Sequence, residues 1–531
     1  MESGGYQPRV FGKLTGRSDW ILIGLILLVG LLYRLFGLTG DIIYDPAVLA
    51  QYAHNFLDGT FQLNTDCVYA HRLSVIVPVA LAYAVMGVGT LSTHIWPLFL
   101  SILQIAAVLW LGYRWLGREV ALLAACLLVL LPLDVLFAGI LTGDGIIAAF
   151  MTFSATSWIL AYEGREKPSR TLLFLSGLFL VLAMLTRFYA LLIVFFFAGY
   201  AIWRRASIKN LVWWGLGFVA AILPVLCVYA IVTGDALFWM KAILGYYRAP
   251  VILQGVRLLY YPRLILSVRS ETGLFALLFC AAALVALVRP TRQRLVLLSW
   301  IAPILIYLQF GSMSLRSYEP IFKNPRYLCP LSAPASLLAA LVILQETPPI
   351  LRKLKIFSDA TRATRFLLIA LMIILLANSL WVVGTFRSVH TKITADFKRA
   401  VAVLRSDEKT PVLFDHWRTG IRFEYYFDFK EGSHLYEGED ENARMNRNRA
   451  EKNSRLGYLK WYPNPADLPD AFVVLDDDIL AQAARVTIGD PTRSKYPAKD
   501  IPVYCFNPPV SWEPLGRFGT LRVLRTHKTL P

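Results

Sequence analysis

The sequence predicts an α-helical polytopic membrane protein of about eleven transmembrane helices, followed by a C-terminal α/β extracytoplasmic domain. Three observations predict it. Apolar stretches recur from Trp20 to Phe386, most of them close to the roughly 20 residues a helix needs to cross a bilayer. Nearly every second connection is basic. The last stretch, from about Arg387 to Pro531, is polar and large enough for a small domain of its own.

The spans are Trp20–Phe36, Ser92–Tyr113, Val120–Phe137, Ile146–Tyr162, Leu172–Leu185, Tyr189–Trp203, Leu211–Val232, Leu274–Val288, Leu295–Phe310, Tyr327–Leu344 and Phe366–Phe386. Helices are the natural choice, because a lone strand in lipid leaves its backbone polar groups unpaired. One set of connections carries Arg9, Lys13 and Arg17; Arg114 and Arg118; Arg165, Lys167 and Arg170; Arg204, Arg205 and Lys209; Arg289, Arg292 and Arg294; and Arg352, Lys353, Lys355, Arg362 and Arg365. Alternating helices put all of these on one side, and the positive-inside rule makes that side the cytoplasm. The amino terminus is then inside and the carboxy terminus outside. The first span lacks a small-residue cleavage site and reads as a retained anchor.

The composition agrees: 56% hydrophobic and 13% aromatic, with mean hydropathy +0.53. The formal charge of +17 does not point to nucleic acid, because much of the excess sits in cytoplasmic loops, where topology and anionic lipid account for it. Cys126, Cys227, Cys280 and Cys329 fall in spans, whereas Cys67 and Cys505 face outside, where they could pair. No cysteine spacing suits a metal. The cytoplasmic loops are short and lack a Gly-rich phosphate cradle, which argues against a nucleotide-driven pump.

The outward segments hold the polar material. In the first, 39–91, Pro46–Leu57 repeats apolar residues at helical spacing after Asp45-Pro46, and Leu73–Met86 is a second short apolar stretch ending at Gly87. Counting the latter as a span would invert every later loop, so both read as helices lying at the membrane interface. In the terminal region, Lys392–Leu404 reads as an amphipathic helix, Val412–Phe414 and Phe472–Leu475 as strands, Trp512–Arg525 as a hairpin, and Glu437–Lys452 as a charged loop.

Several outward motifs appear in order: Tyr44-Asp45-Pro46-Ala47 before Ala50–Gly59; Tyr69-Ala70-His71-Arg72-Leu73; Leu141-Thr142-Gly143-Asp144; Leu185-Thr186-Arg187; and Lys323-Asn324-Pro325-Arg326-Tyr327-Leu328-Cys329-Pro330. With the topology, they resemble the GT-C glycosyltransferases, nearest to the protein O-mannosyltransferase and aminoarabinose transferase branch, through about residue 386. Departures are Pro46, where the family often has a second acid, and His71-Arg72, where it usually has a basic residue and proline. The resemblance implies a GT-C catalytic domain over 1–386 and an extracytoplasmic domain over 387–531. It further implies sugar transfer from a polyprenyl-phosphate donor to a lipid, glycan or protein acceptor at the outer face of the membrane; the compact size and lack of an obvious retrieval signal favour a bacterial or archaeal cell membrane. A divalent metal is compatible with such a site and none is required.

The chemistry assigns roles. A departing phosphate needs positive groups beside the headgroup layer, and arginine's planar fork grips its oxygens in pairs. Arg187, Arg326, Arg72 and His71 are the candidates for binding donor phosphate. A hydroxyl or amine acceptor must lose a proton, and Asp45 is the candidate general base, with Asp144 a second catalytic candidate. Attack from the face opposite the phosphate inverts the anomeric configuration. The bland alternatives are that Asp45 and Asp144 cap helices and that the arginines snorkel to ordinary headgroups. Asp415-His416 reads as an incidental pair, and Tyr260-Tyr261-Pro262-Arg263 as an interface belt. A flippase or secondary transporter, or a non-catalytic scaffold, are the competing classes. Convergence of Asp45, Asp144, Arg187 and Arg326 on one cavity would favour the enzyme.

Overall fold

The computed structural model describes residues 17–40, 44–65, 67–163, 167–248, 259–312, 318, 321, 323–354, 360–427, 455–459, 462, 464–481 and 501–527. Arg9, Lys13, Arg165, Lys355 and the charged stretch Glu437–Lys452 lie outside the described residues.

The apolar stretches are helices: α1 Arg17–Gly37, α2 Tyr44–Leu57, α3 Leu73–Met86, α4 Thr90–Leu111, α5 Arg118–Leu130, α6 Pro132–Ala138, α7 Gly143–Tyr162, α8 Arg170–Met184, α9 Ile193–Trp203, α10 Ile208–Thr233, α11 Phe238–Arg248, α12 Tyr260–Leu266, α13 Gly273–Val288, α14 Arg292–Phe310, α15 Ser332–Leu354, α16 Ala360–Arg405 and α17 Trp417–Tyr426. Among the described residues seven helices are long and apolar enough to cross a membrane, or eight when the bent pair α5–α6 counts as one span. The remaining expected spans correspond to the shorter apolar helices α8, Phe188–Trp203 and α13. The expected single span Val120–Phe137 is bent by 61°. The break falls at Leu131 because Pro132 lacks a backbone N–H and opens α6 at its first position. α2 and α3 form as expected from their spacing.

Burial ranks the helices. For α7, 89% of the apolar window is buried, against 17% for α1 and α10; α7 lies inside the bundle, packed mainly against α4 and α8. α8 and α10 meet through glycines. A Cβ at Gly177 would lie 2.1 Å from the Trp214 carbonyl oxygen, and one at Gly217 would lie 1.9 Å from that of Phe174. Only hydrogen fits there, which is how membrane helices approach backbone to backbone.

The two ends of the bundle differ in chemistry. Beyond the C-terminus of α7, Glu163 accepts hydrogen bonds from Arg292 at 2.5 Å and Tyr200 at 2.6 Å. Nearby on the basic loops, Glu346 pairs with Arg289 and Arg294. The acids and arginines of the outward motifs gather at the other end, around the N-terminus of α7.

α16 runs unbroken through residue 387, so the expected separate helix Lys392–Leu404 is its continuation. Its last turns carry Phe397, Ala400, Val401 and Leu404 onto a five-stranded sheet. The strands are β1 Val412–Phe414, β2 Leu456–Tyr458, β3 Ala471–Asp476, β4 Glu513–Phe518 and β5 Leu521–Thr526, in the order β2-β1-β3-β5-β4. β1 is parallel to β2 and β3, with Val412 opposite both Leu456 and Phe472; β5 is antiparallel to β3 and β4. Phe472 and Val474 face α16, while Val473 and Leu475 face a second cluster with Leu459, Ile479 and Trp512. Burial on both faces is why this strand reads as an unbroken apolar run. Cys67 and Cys505 are both free and buried, the first in the core of the helical bundle and the second in the outer layer of this domain, so the two do not pair.

Candidate active site

Asp45 lies in the first turn of α2, just ahead of Pro46. Its Oδ1 accepts a hydrogen bond from the Tyr69 hydroxyl at 2.6 Å, and its Oδ2 accepts one from Arg326. Burial alone would raise the Asp45 carboxyl. The guanidiniums of Arg326 and Arg72, the Tyr69 hydroxyl and Arg187 together hold it below the usual carboxylate range.

Arg326 comes from the tight turn Pro325–Leu331 ahead of α15, which is capped by Asn324 Oδ1 accepting from the Arg326 amide at 3.2 Å. The same guanidinium lies 3.1 Å, through Nε, from Asp144 Oδ2. Asp144 sits in the first turn of α7, fully buried, and also accepts from Arg187 Nη2 at 2.9 Å. Arg187 leaves the turn between α8 and Phe188–Leu192. It crosses the start of α7 where Gly143 offers no side chain: a Cβ there would be 3.1 Å from Thr186 Cγ2 and 3.4 Å from Arg187 Nε. Tyr327 lies under both cations, 5.0 Å from Arg187 and 5.9 Å from Arg326.

Arg72 closes the group. It is the residue preceding α3, and its guanidinium stacks on Tyr69 at 4.3 Å. Its Nη1 is buried without a hydrogen-bond partner among the described residues. Ser74 and Thr186 share a hydrogen bond of 2.7 Å, which fixes the Arg72 and Arg187 segments to each other. His71 stands apart: its two ring nitrogens contact the Tyr229 hydroxyl at 2.8 Å and the Thr65 carbonyl at 2.9 Å, so it braces the loop. The structure thus brings Asp45, Asp144, Arg72, Arg187 and Arg326 into one group, three guanidiniums against two carboxylates, and leaves His71 beside it. A site with one cation in excess attracts an anion. Among the described residues no group of three or more His, Cys, Asp or Glu is arranged to hold a metal ion.

An apolar groove of about 880 Å³ adjoins this group. Leu73, Ser74 and Leu185 line its end next to Arg72 and Arg187, and it follows α4 from Trp96 to Trp110. That separation corresponds to about 21 Å of helix. Phe99, Leu103 and Trp110 line it and are themselves exposed on the flank of the bundle.

Some residues with evident roles escaped the sequence reading. Tyr69 was part of a motif, but not as a ligand of Asp45. Tyr261 is buried and donates to the Asn324 carbonyl at 3.2 Å, so it packs on the Arg326 turn and does not form an interface belt. Arg34 and Asp134 are buried inside the bundle, Arg34 donating to Ser101 at 2.5 Å and Asp134 accepting from Ser332 at 3.1 Å. Their position within apolar spans was the signal, since ionisable groups there are rarely idle. Asp415 and His416 are structural: Asp415 accepts from Thr419 and the Asp476 amide, and His416 caps α17.

A family model described as dolichyl-phosphate-mannose-protein mannosyltransferase matches residues 77–231. No curated protein matches the sequence. Among solved structures, ArnT from Cupriavidus metallidurans bound to undecaprenyl phosphate is similar with a TM-score of 0.66 at 12% identity, covering 96% of this chain and 98% of that one. The archaeal oligosaccharyltransferase AglB from Archaeoglobus fulgidus, in complex with an inhibitory peptide and a dolichol-phosphate, has a TM-score of 0.53 at 13% identity, covering 88% and 71%. At such identities the likeness establishes the fold, and it extends over the terminal domain as well as the bundle.

Proposed function

We infer that this chain, a multi-pass membrane glycosyltransferase of the GT-C superfamily, moves a sugar from a polyprenyl-phosphate donor to a hydroxyl or amine acceptor at the outer face of a cell membrane. The observation that carries the reading is the meeting of Asp45, Asp144, Arg72, Arg187 and Arg326 at the end of a membrane-flanking apolar groove. The groove suits a polyprenyl tail and the guanidiniums suit the phosphate at its head. The lipids held in the solved structures of ArnT and AglB, undecaprenyl phosphate and a dolichol-phosphate, share the lipid-phosphate part of such a donor. The basic loops around Glu163 and Glu346 then face the cytoplasm, with the terminal domain outside.

In this reading Asp144 orients Arg187 and Arg326, being too enclosed to meet an acceptor. Asp45 is the base. Held by Arg326 it is a weak one; a phosphate that takes over Arg326 frees the carboxylate and raises its basicity. The acceptor oxygen or nitrogen bonds to the anomeric carbon while its proton passes to Asp45. The bond between that carbon and the phosphate oxygen breaks, and the phosphate departs as a monoester whose added charge the guanidiniums stabilise. Attack opposite the phosphate inverts the anomeric centre.

Purified protein incubated with a panel of radiolabelled polyprenyl-phosphate sugars and envelope extract tests the reading. Label should leave at least one of these donors for an acceptor. Transfer from nucleotide sugars alone, with no polyprenyl-phosphate sugar consumed, would refute it. The competing flippase or transporter moves such a donor without cleaving it, and release of free polyprenyl phosphate separates the two.

A further inference from the structure

α17 belongs to two cores at once. Phe423, with Phe427 just past its end, packs under the terminal sheet, whereas Ile421 and Tyr425 lie in the core of the helical bundle. Between these faces sits Glu424, buried to 1% exposure. Its Oε2 accepts a hydrogen bond of 2.9 Å from Gln51 Nε2. Gln51 is on α2, six residues beyond Asp45, or about 9 Å along the helix. The next residue of α17 makes a second attachment: the Tyr425 hydroxyl lies 3.0 Å from Thr93 Oγ1, which in turn lies 2.8 Å from the Tyr83 hydroxyl of α3.

A buried carboxyl at a domain junction is costly and serves no purpose as packing alone. Here it makes a polar contact from α17 to the helix that bears the candidate base, and the Tyr425–Thr93–Tyr83 chain seats the same α17 on α3, whose preceding residue is Arg72. We propose that Glu424 is a positioning residue: through Gln51 it fixes α2 so that Asp45 faces the guanidinium group, making the terminal domain a working part of the active site. Burial pushes the Glu424 carboxyl well up, and glutamine, which keeps its shape and an oxygen that accepts from Gln51, is its close mimic.

The catalytic consequence rests on the function proposed above; the clamp itself does not. The full-length protein, Glu424→Ala, Glu424→Gln and Gln51→Leu are compared by hydrogen exchange, melting temperature and transfer kinetics. Exchange over residues 44–57 should rise in Glu424→Ala and Gln51→Leu while the rest of the bundle is unchanged. Turnover should fall roughly tenfold or more with donor KM unaltered, since displacement of a reacting group by about 1 Å has effects of this order. Glu424→Gln should restore both. Unchanged exchange over 44–57 overturns the proposal, as does a Glu424→Gln variant as impaired as Glu424→Ala. Should Glu424→Ala not fold, Gln51→Leu carries the same two readouts. A wild-type protein that transfers from no polyprenyl-phosphate sugar refutes the function, and the exchange comparison still decides the clamp.

Discussion

Asp45 and Arg326 stand 281 residues apart in the chain and form an ion pair across the site. The same arginine reaches Asp144, which also holds Arg187, so Asp144 pairs with two cations and Asp45 with one of them. In the proposed mechanism that asymmetry divides the labour between the two acids: Asp144 sets the geometry, and Asp45 is the group a ligand releases.

For the arginines, charge and shape separate. Arg187→Lys or Arg326→Lys keeps the cation and loses the paired fork, so binding of polyprenyl phosphate should weaken by about tenfold or more, in line with the 1.5–3 kcal/mol of hydrogen bonds to charged groups. Arg187→Ala also removes one of the two guanidiniums that hold buried Asp144, at a cost of roughly 1.5–3 kcal/mol in stability. Binding of undecaprenyl phosphate measured beside the melting temperature distinguishes the two effects. Lysine variants that bind as tightly as the native protein would place the phosphate elsewhere.

The α8–α10 contact should tolerate no side chain. Gly217→Leu forces backbone apart where a Cβ already falls 1.9 Å from a carbonyl oxygen. Overpacking of this kind costs about 1–3 kcal/mol or more. Thermal unfolding in detergent should show a clear loss for Gly217→Leu and little for Gly215→Leu, where a Cβ meets nothing within 4 Å.

Asp415 gives the terminal domain a pH dependence. Burial pushes its carboxyl up to about 8. The folded chain then keeps a proton that the unfolded chain releases near pH 4. Stability from this group is complete below about pH 4 and is lost as pH rises toward 8. Asp415→Asn, which can accept from the Asp476 amide and donate to Thr419, should make that slope shallower. Melting temperatures between pH 5 and 8 check it: an equal slope in both proteins would assign the dependence to another group.

Much of this architecture was legible in the sequence. The spans are long and apolar, and Val412–Phe414 and Phe472–Leu475 announce themselves because both sheet faces are covered. The α16 extension was not legible, since the polar residues Arg387, Ser388 and His390 look like a span's end although the helix continues through them. The site's principal acids and arginines were readable because each stands at the end of an apolar helical stretch. Tyr69 and Gln51 were not, because their meaning depends on partners: Glu424 lies 373 residues from Gln51. Arg34 and Asp134 are legible as charges inside apolar spans.

The central claim is that Asp45 is a base restrained by the arginine that receives the donor phosphate. Asp45→Asn, measured for both turnover and undecaprenyl-phosphate binding, tests it in one variant. The side chain keeps its shape and an oxygen for Tyr69, but loses the charge that competes for Arg326. Turnover should fall by about 10²-fold or more, while binding of undecaprenyl phosphate becomes tighter. A variant that turns over at the native rate, or one that loses turnover together with phosphate binding, would contradict the account.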